Sequence, residues 1–123
     1  MSIDKLINSV KNHPDYHRVG MILCHNGVVR RTSRDGRPVK GLKVAVDHGG
    51  LDETIQSYEQ RPGIVKIAVT IFEDRYLKVG DDVMYLVVAG DIRENVLETM
   101  KDLLNAIKTA LTRKTEYYLE TGD

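Results

Sequence analysis

Between residues 91 and 112, apolar residues recur every three or four positions, which predicts one long amphipathic helix packed on a core. The segment Asp91-Ile92-Arg93-Glu94 matches a capping box: Asp91 can accept from the main chain while Glu94 reaches back. The apolar positions of this stripe are Val96, Leu97, Met100, Leu103, Leu104, Ile107 and Leu111.

The remaining elements follow from shorter patterns and predict an α+β fold. A short N-terminal helix within residues 1–14 ends at Pro14, and residues 79–82 read as a hairpin turn. The other predicted elements are strands at 19–29, 42–46, 64–73 and 83–89, a helix at 51–60, and a final edge strand at 116–119. This order predicts a two-layer α/β sandwich with an antiparallel sheet, in a ferredoxin-like or hammerhead arrangement.

Two local features have expected structural roles. Residues 30–41 contain five basic side chains and an Asp35-Gly36 turn signal, so we expect a mobile, solvated basic loop. Cys24 lies in an apolar run, where we expect a buried and inert thiol. As the single cysteine of the sequence, it also excludes an intramolecular disulfide and a cysteine-based zinc knuckle.

Length and charge limit the class of protein. The 123 residues suit a single domain, 1–123, with one core. Lys plus Arg and Asp plus Glu both number 18, so the net charge of zero favours neither nucleic acid nor an anionic membrane. No apolar run approaches the roughly 18 residues of a membrane span, and no signal peptide precedes the first helix. A cytoplasmic protein is therefore expected.

The histidines do not form a recognisable metal motif. His13 and His17 are four residues apart, but Pro14 breaks the helix that would place them on one face. His25 and His48 lie on different predicted strands without an accompanying carboxylate motif. The sequence therefore predicts no metal site and no cofactor, and it contains neither a nucleophile elbow nor a glycine-rich phosphate loop.

Cations are the remaining chemical signal. They are Arg30 after the first strand, Arg93 at the start of the long helix, and Lys108 and Lys114 at and beyond its end. On a helical wheel Arg93 projects into the apolar sector, on a first turn where the helix dipole disfavours a cation. Arg and Lys side chains in such positions suit a small anionic substrate.

The spacing within the long helix limits how these cations cooperate. Arg93 and Lys108 are 15 positions apart in the sequence, which corresponds to roughly 22 Å along a helix axis. One small ligand does not easily span both ends within one chain. If the two residues share a site, a two-fold dimer that brings Arg93 of one subunit to Lys108 of the other is the natural arrangement.

Several segments resemble the molybdopterin synthase large (catalytic) subunit, the MoaE family, over about residues 19–118. The stretch 20–30 is similar to the family's strand of glycine, apolar run, glycine, any residue, valine and arginine, which ends here at Arg30. The Leu77–Asp81 stretch resembles the family's Leu-x-x-Gly-Asp hairpin. The helix that begins at Arg93 and reaches Lys108, with Lys114 shortly after, resembles the family's arginine helix and lysine segment. Ile92 stands where the family has histidine.

The resemblance implies a sulfurtransferase of molybdenum cofactor biosynthesis. Such an enzyme moves sulfur from the C-terminal Gly-Gly thiocarboxylate of a small ubiquitin-like subunit to cyclic pyranopterin monophosphate. By resemblance, Lys108 is the main catalytic lysine, and Lys114 assists it and contacts substrate. Arg30 and Arg93 bind the phosphate or the pterin and stabilise developing negative charge. The family also implies a homodimer that forms a heterotetramer with the small partner.

Two other functions stay open at this point. A non-catalytic dimeric paralogue could use the same cations to bind a small anionic metabolite or a partner tail. Nucleic-acid binding through residues 30–43 is a weaker alternative, because the net charge is zero and stacking residues are scarce, with no Trp and one Phe.

Overall fold

The computed structural model of the protein describes residues 2–119. A 3-10 turn at Tyr16–Arg18 follows the first helix, and a π-helical turn at Ile107–Leu111 follows the last. The helices and strands, in chain order, are α1 (Ile3–Lys11), β1 (Met21–Val28), β2 (Val39–Val46), α2 (His48–Glu59), β3 (Ile64–Ile71), β4 (Leu77–Lys78), β5 (Asp82–Gly90), α3 (Arg93–Ala106) and β6 (Thr112–Tyr118).

The strands form two antiparallel sheets of three strands each. One sheet has the order β1-β5-β3, and the other has the order β4-β2-β6. The predicted α+β class with antiparallel pairing is confirmed. The division into two sheets was not evident from the sequence, because strand periodicity identifies faces but not partners.

The main core lies between the β1-β5-β3 sheet and helices α2 and α3. Its buried side chains include Leu86 and Val88 of β5 and Val96 and Leu103 of α3. The predicted apolar stripe is confirmed along most of α3. The prediction that Leu97 belongs to it is wrong, because the Leu97 side chain is 47% exposed. The stripe that packs on the sheet is thus narrower than the sequence indicates.

The other face of the same sheet is covered by α1. Leu6 and Val10 of this helix pack against Val87 and Ala89 of β5. Ser2 caps α1 by accepting a hydrogen bond from the amide of Lys5. The predicted N-terminal helix is thus present and covers one face of the sheet.

A third apolar cluster joins the two sheets. Val29, just after β1, is buried with Leu42 and Val44 of β2 and with Leu77 of β4. Partly buried residues of the first sheet, such as Ile71, pack against this cluster. The inner face of the β4-β2-β6 sheet is therefore fixed relative to the end of β1.

The start of α3 differs from the prediction. Ile92 occupies the N-cap position without a side-chain hydrogen bond, so the capping box does not form. The Asp91 carboxylate instead accepts from the Ile92 amide at 2.6 Å and from the Asn95 side chain at 2.9 Å. Arg93 does not join the apolar sector, because its side chain is 75% exposed and lies one turn before the first core residue, Val96.

Helix α2 begins earlier than predicted. The side chain of Asp47 accepts a hydrogen bond from the amide of Gly50 at 3.1 Å, which makes Asp47 the N-cap. Residues 48–50, which precede the predicted helix at 51–60, thus form the first helical turn. A good cap outweighs the low helix propensity of two glycines at this end.

The strand boundaries show two further differences. In β3 a bulge between Ile64 and Lys66 shifts the pairing, which lets Ile64 and Ile67 both enter the core despite their three-residue spacing. The predicted turn at 79–82 exists, with Gly80 at φ +92°, but it follows the short strand β4 rather than β3.

The Cys24 prediction is wrong. Cys24 lies on β1, an edge strand, and its side chain is exposed. The apolar run around it belongs to a strand whose two faces differ in burial, because α1 covers only part of one face. Over residues 2–119, no helix is both long and apolar enough to cross a membrane.

Candidate active site

The π-helical turn at the end of α3 presents Lys108 to solvent. Ile107 and Leu111, the first and last residues of this turn, are both buried and anchor it to the core. The hydroxyl of Thr112 donates to the carbonyl of Ile107 at 2.8 Å, which satisfies a carbonyl group at the helix end. Lys108 is thus an exposed side chain on a well-anchored segment of main chain.

Strand β6 directs Lys114 to the inner face of the second sheet. Lys114 lies opposite Val44, and Glu116 lies opposite Leu42, in the antiparallel register. Opposite residues in such a pair share a face, and both partners on β2 are buried. Lys114 and Glu116 therefore lie at the margin of the cluster between the sheets, with Nζ and Oε2 3.9 Å apart.

Arg30 directly follows Val29, a buried residue of the apolar cluster that joins the two sheets. Val29 is buried, its amide donates to the carbonyl of Asp81, and its carbonyl accepts from the amide of Gly80, each at 2.9 Å. These bonds fix the main chain at the end of β1. Arg30 itself is exposed, immediately after this anchored position.

Residues 31–39 form a hairpin rather than an irregular connection. The amide of Val39 donates to the carbonyl of Arg31 at 2.8 Å, and a bridge pairs Thr32 with Pro38. The amide of Gly36 donates to the carbonyl of Ser33 at 3.0 Å, which closes a tight turn. The predicted basic loop thus contains a hairpin, and its mobility stays a prediction.

The hairpin packs on the far end of β6. The guanidinium carbon of Arg37 lies 3.6 Å from the ring centroid of Tyr118, and the amide of Leu119 donates to the carbonyl of Pro38 at 3.1 Å. Tyr118 alternates with Glu116 along β6 and shares its face, and the Tyr118 hydroxyl lies 3.2 Å from the Glu116 carboxylate. The hairpin therefore lies over the face that carries Lys114.

These elements bring four cations of one chain together. The pKa of Lys108 lies below its ordinary value. The first cause is partial loss of contact with water, which disfavours the charged ammonium group. The second is repulsion from three nearby cations, in decreasing order Arg34, Lys114 and Arg30. We refer to Arg30, Arg34, Lys108 and Lys114 as the cation cluster.

The cation cluster carries more positive charge than its neighbours neutralise. Within residues 2–119, its one ion pair with a carboxylate is the long contact between Lys114 and Glu116. Repulsion among cations in this arrangement costs free energy, and an anion bound between them would remove that cost. The four side chains of the cluster are exposed, so in a single chain they form an open cationic surface rather than an enclosed pocket.

Arg93 does not belong to this cluster. It lies at the opposite end of α3, and its nearest carboxylate is that of Glu94, 3.7 Å from Nε. The predicted separation of the two ends of the helix is thus retained in the fold. Of the four residues selected from the sequence, Arg30 and Lys114 lie near enough to lower the pKa of Lys108, whereas Arg93 lies at the other end of α3.

Two of the four histidines, His13 and His48, make hydrogen bonds to nearby groups. His48 Nε2 lies 2.8 Å from the Glu73 carboxylate, and His13 Nδ1 accepts from the amide of Asp15 at 3.0 Å. The hydrogen bond and the charge of Glu73 raise the pKa of His48. In the part of the chain that the structure describes, no group of three or more His, Cys, Asp or Glu side chains is arranged to hold a metal.

A comparison with protein families identifies the relatives of the chain. The family model described as MoaE protein matches residues 1–110. The chain belongs to this family. The matched segment of this MoaE chain includes Arg30, Arg34, Arg93 and Lys108, whereas Lys114 follows it on β6.

Solved structures share the fold of this MoaE chain. Molybdopterin synthase from Staphylococcus aureus is 15% identical, with a TM-score of 0.69 over 88% of this chain and 86% of that one. The complex of subunits 1 and 2 of molybdopterin-converting factor from Helicobacter pylori 26695 is 15% identical, with a TM-score of 0.70 over 100% and 87%. Molybdopterin cofactor biosynthesis protein E from Burkholderia multivorans ATCC 17616 is 15% identical, with a TM-score of 0.73 over 98% and 88%. No curated protein sequence matches the chain.

The sequence of this MoaE chain does not single out Arg34 as a member of the cation cluster. The basic residues at 30–41 predict one solvated loop, of which only Arg30 is a candidate site residue. The Asp35-Gly36 pair was the available signal, because a tight turn there reverses the chain and folds the hairpin back on the protein. Which basic side chain then meets Lys108 depends on tertiary packing.

Proposed function

We propose that this protein is the catalytic subunit of a molybdopterin synthase. Its family match and its structural neighbours support a role in molybdenum cofactor biosynthesis. The proposed reaction moves sulfur from the thiocarboxylate of a small Gly-Gly-ended partner to cyclic pyranopterin monophosphate. A neighbour that is a complex of two subunits of molybdopterin-converting factor supports the existence of such a partner.

The observation that supports this function most directly is the cation cluster around Lys108. Both proposed ligands are anions, one through its thiocarboxylate and one through its phosphate. Arg30 suits oxyanion binding because a guanidinium group donates two parallel hydrogen bonds, and Lys114 adds a point charge. In this assignment Lys108 and Lys114 are the catalytic lysines, and Arg30 and Arg93 bind substrate.

The lowered pKa of Lys108 suits the chemistry assigned to it. A larger neutral fraction lets its amine accept a proton or attack the acyl carbon of the thiocarboxylate. In the net transfer of each sulfur, the partner's carbon–sulfur bond breaks, and on the pterin side chain a carbon–sulfur bond replaces a carbon–oxygen bond whose oxygen leaves as water or as the freed phosphate ester oxygen. Two such transfers make one dithiolene. The acyl group then passes to the Lys108 amine or to water, and the neighbouring cations stabilise the negative charge that develops.

We further propose that the active unit contains two copies of this chain. Arg93 lies between Ile92 and Leu97, whose apolar side chains are 52% and 47% exposed. Burying these two side chains against a second copy would contribute favourable hydrophobic free energy and would bring Arg93 to the partner's cation cluster. Two copies of this chain and two small partners would make the heterotetramer that the family resemblance implies.

Mixed dimers test this arrangement. Arg93→Ala and Lys108→Ala chains should each be inactive alone, but a mixture that exchanges subunits should regain about one quarter of the wild-type activity. In a random mixture half of the dimers are hybrids, and each hybrid contains one intact site, so the fraction follows from counting. The measurement is product formation after co-refolding, with size-exclusion chromatography to confirm exchange. Full exchange without recovered activity would place Arg93 and Lys108 in the same subunit's site or in no shared site.

Reconstitution tests the function itself. The purified protein, a thiocarboxylated Gly-Gly-ended partner and the cyclic pyranopterin precursor should together yield the dithiolene product, detected by its oxidised fluorescent derivative. A partner that ends in an ordinary carboxylate serves as the matched control and should give none. If an established synthase works with the same partner and precursor while this protein does not, the enzymatic proposal is wrong.

That result would favour a non-catalytic paralogue that binds a small anionic metabolite or a partner tail. Ile92 favours this second candidate, because an exposed apolar side chain stands where the family resemblance places a histidine. Binding of the precursor without turnover would identify it. The cytoplasmic location expected from the sequence stays a prediction under either function.

A further inference from the structure

The outer edge of β6 has no partner strand within residues 2–119. The strand pairs with β2 alone and lies at the end of the β4-β2-β6 sheet. The amide of Asp47 donates to the carbonyl of Leu111, which is its opposite residue when the register is continued past Val46 and Thr112. Because hydrogen-bonded pairs alternate along an antiparallel ladder, the odd-numbered residues of β6 bond to β2. The main-chain groups of residues 112, 114, 116 and 118 therefore point outward along the free edge.

The sequence of β6 favours a paired strand. Thr and Tyr, which both favour strands, make up four of its 7 residues. Charges on an edge strand, lysine above all, usually deter pairing with unrelated strands. In β6, however, Lys114 and Glu116 are two positions apart on one face, so the edge carries both signs of charge. A second copy of the same strand, running antiparallel, can present each charge with its opposite.

Charge selects one register for such a pair. Outward-directed groups meet only if even-numbered residues lie opposite even-numbered residues. A register centred on residue 114 or on residue 116 places a lysine against a lysine or a glutamate against a glutamate. The register centred on Thr115 instead places Lys114 opposite the second copy's Glu116 twice, which is a favourable cross-strand pair. On the outer face it also sets Arg113 opposite the second copy's Tyr117, whose ring can bind a cation.

Lys114 and Glu116 are both able to accept a further partner. Their Nζ and Oε2 atoms lie 3.9 Å apart, which is too long for a hydrogen bond, and the Lys114 side chain is 50% exposed. In the register centred on Thr115, each Glu116 lies between two lysines, one from each copy. The four charges then alternate in sign across the contact.

We propose that β6 pairs antiparallel with β6 of a second copy of this chain, in the register centred on Thr115. The two β4-β2-β6 sheets then form one continuous sheet of six strands across a two-fold axis. Each copy covers the free edge of the other, so the contact is closed. It is separate from the surface that contains Ile92 and Leu97, and it does not depend on sulfur transfer.

Disulfide crosslinking tests the register. In a Cys24→Ser background, Thr115→Cys should place two cysteines with their Cα atoms about 4.5 Å apart, a distance that a disulfide can bridge. Arg113→Cys is the matched control, because it lies on the same face of β6 but about 14 Å from its counterpart in this register. Under mild oxidation, Thr115→Cys should give a crosslinked dimer on a non-reducing gel, and the control should give about tenfold less. Equal crosslinking of the two variants would overturn the proposal.

Charge reversal tests the ion pairs. Lys114→Glu, added to the Thr115→Cys chain, sets acids against acids, and Glu116→Lys sets lysines against lysines. Each of these chains alone should crosslink about tenfold less than the parent. An equimolar mixture should crosslink again, as hybrids, because every acid of one chain then faces a lysine of the other. Mixing restores no contact within a chain, so recovery reports the contact between copies.

Two controls accompany the charge-reversed chains. Circular dichroism checks that each chain folds, and reaction with a small uncharged maleimide corrects each yield for the reactivity of its thiol. Undiminished crosslinking of either charge-reversed chain, or no hybrid in a mixture of folded chains, would overturn the proposal. A contact at Ile92 and Leu97 does not produce the expected pattern, because the disulfide at residue 115 forms only between paired β6 strands.

Discussion

Replacement of Lys108 with Ala is expected to lower the rate of sulfur transfer by about 10²- to 10⁴-fold. The side chain is exposed on an anchored turn, so its removal creates no cavity and leaves Ile107 and Leu111 in the core. The loss should therefore appear in kcat at saturating substrate, with little change in the free energy of unfolding. The measurement is the initial rate of dithiolene formation in the reconstituted system.

Lys101→Ala is the control for this substitution. Lys101 is an exposed lysine of the same helix, about two turns before Lys108 and outside the cation cluster. Its removal changes the net charge equally and should leave the rate within about twofold of wild type. Comparable losses in both variants would mean that the charge of the helix, and not the Lys108 amine, determines the rate.

The pH dependence of the wild-type rate provides a second readout. If the neutral amine of Lys108 is the reactive form, the rate rises with pH through the pKa of this group. Because partial loss of contact with water and the adjacent cations lower that pKa, the midpoint should lie below that of an ordinary lysine. Screening by about 1 M salt weakens the repulsion from the cations, so the midpoint should move to higher pH. A pH midpoint that does not change with salt concentration would contradict the electrostatic explanation.

Replacement of Leu103 with Ala is expected to reduce the free energy of unfolding by about 2–5 kcal/mol. Leu103 is fully buried in the main core between α3 and the β1-β5-β3 sheet. The substitution removes buried methyl groups and leaves a cavity that the surrounding strands can close only in part. Urea unfolding, followed by circular dichroism at fixed protein concentration, should show a lower midpoint with an unchanged slope.

Leu97→Ala makes the same chemical change on the same helix. Leu97 is about half exposed, so its truncation should cost well under 1 kcal/mol in the monomer. If the proposed dimer buries Leu97, the variant should instead raise the dimer dissociation constant while the stability of the separated chain is unchanged. Equal destabilisation by the two substitutions would contradict the burial pattern of α3.

The main elements of the fold were predictable because their signals are local. The repeat of Val96, Met100, Leu103 and Ile107 identifies α3 and its buried face. The alternation in β3 identifies a strand, and the continuous apolar run in β5 identifies a buried one. Leu97 shows the limit of this reasoning. Its position on the helical wheel borders the apolar stripe, but burial depends on whether a second layer covers that angle, and the sheet does not.

The predicted environments of Arg93 and Cys24 are wrong for a related reason. A helical wheel places Arg93 in line with core residues, but the first turn of α3 lies beyond the buried cluster, so the guanidinium group remains hydrated. Cys24 has apolar neighbours in sequence, but it lies on an edge strand and is not among the residues that pack with α1. In both cases burial depends on how far the neighbouring elements cover the residue, and no local sequence pattern reports this.

The candidate site was predictable in part. The sequence singles out Arg30, Lys108 and Lys114 as cations at the ends of elements, and the charges of Arg30 and Lys114 both lower the pKa of Lys108. Arg34 is not singled out, because its effect on Lys108 depends on the tertiary placement of the hairpin, which no local pattern reports. Whether Arg93 completes the site depends on a second copy of the chain, and this stays a prediction.

The length of the π-helical turn determines which side chains of β6 face inward. Side chains along β6 alternate, so Lys114 and Glu116 face inward only because Thr112 begins the strand at the present count from α3. One inserted alanine in the turn would exchange the two faces, turn Arg113 inward and send Lys114 to the outer surface. The length of this connection, more than its composition, therefore decides which of two adjacent cations the site receives.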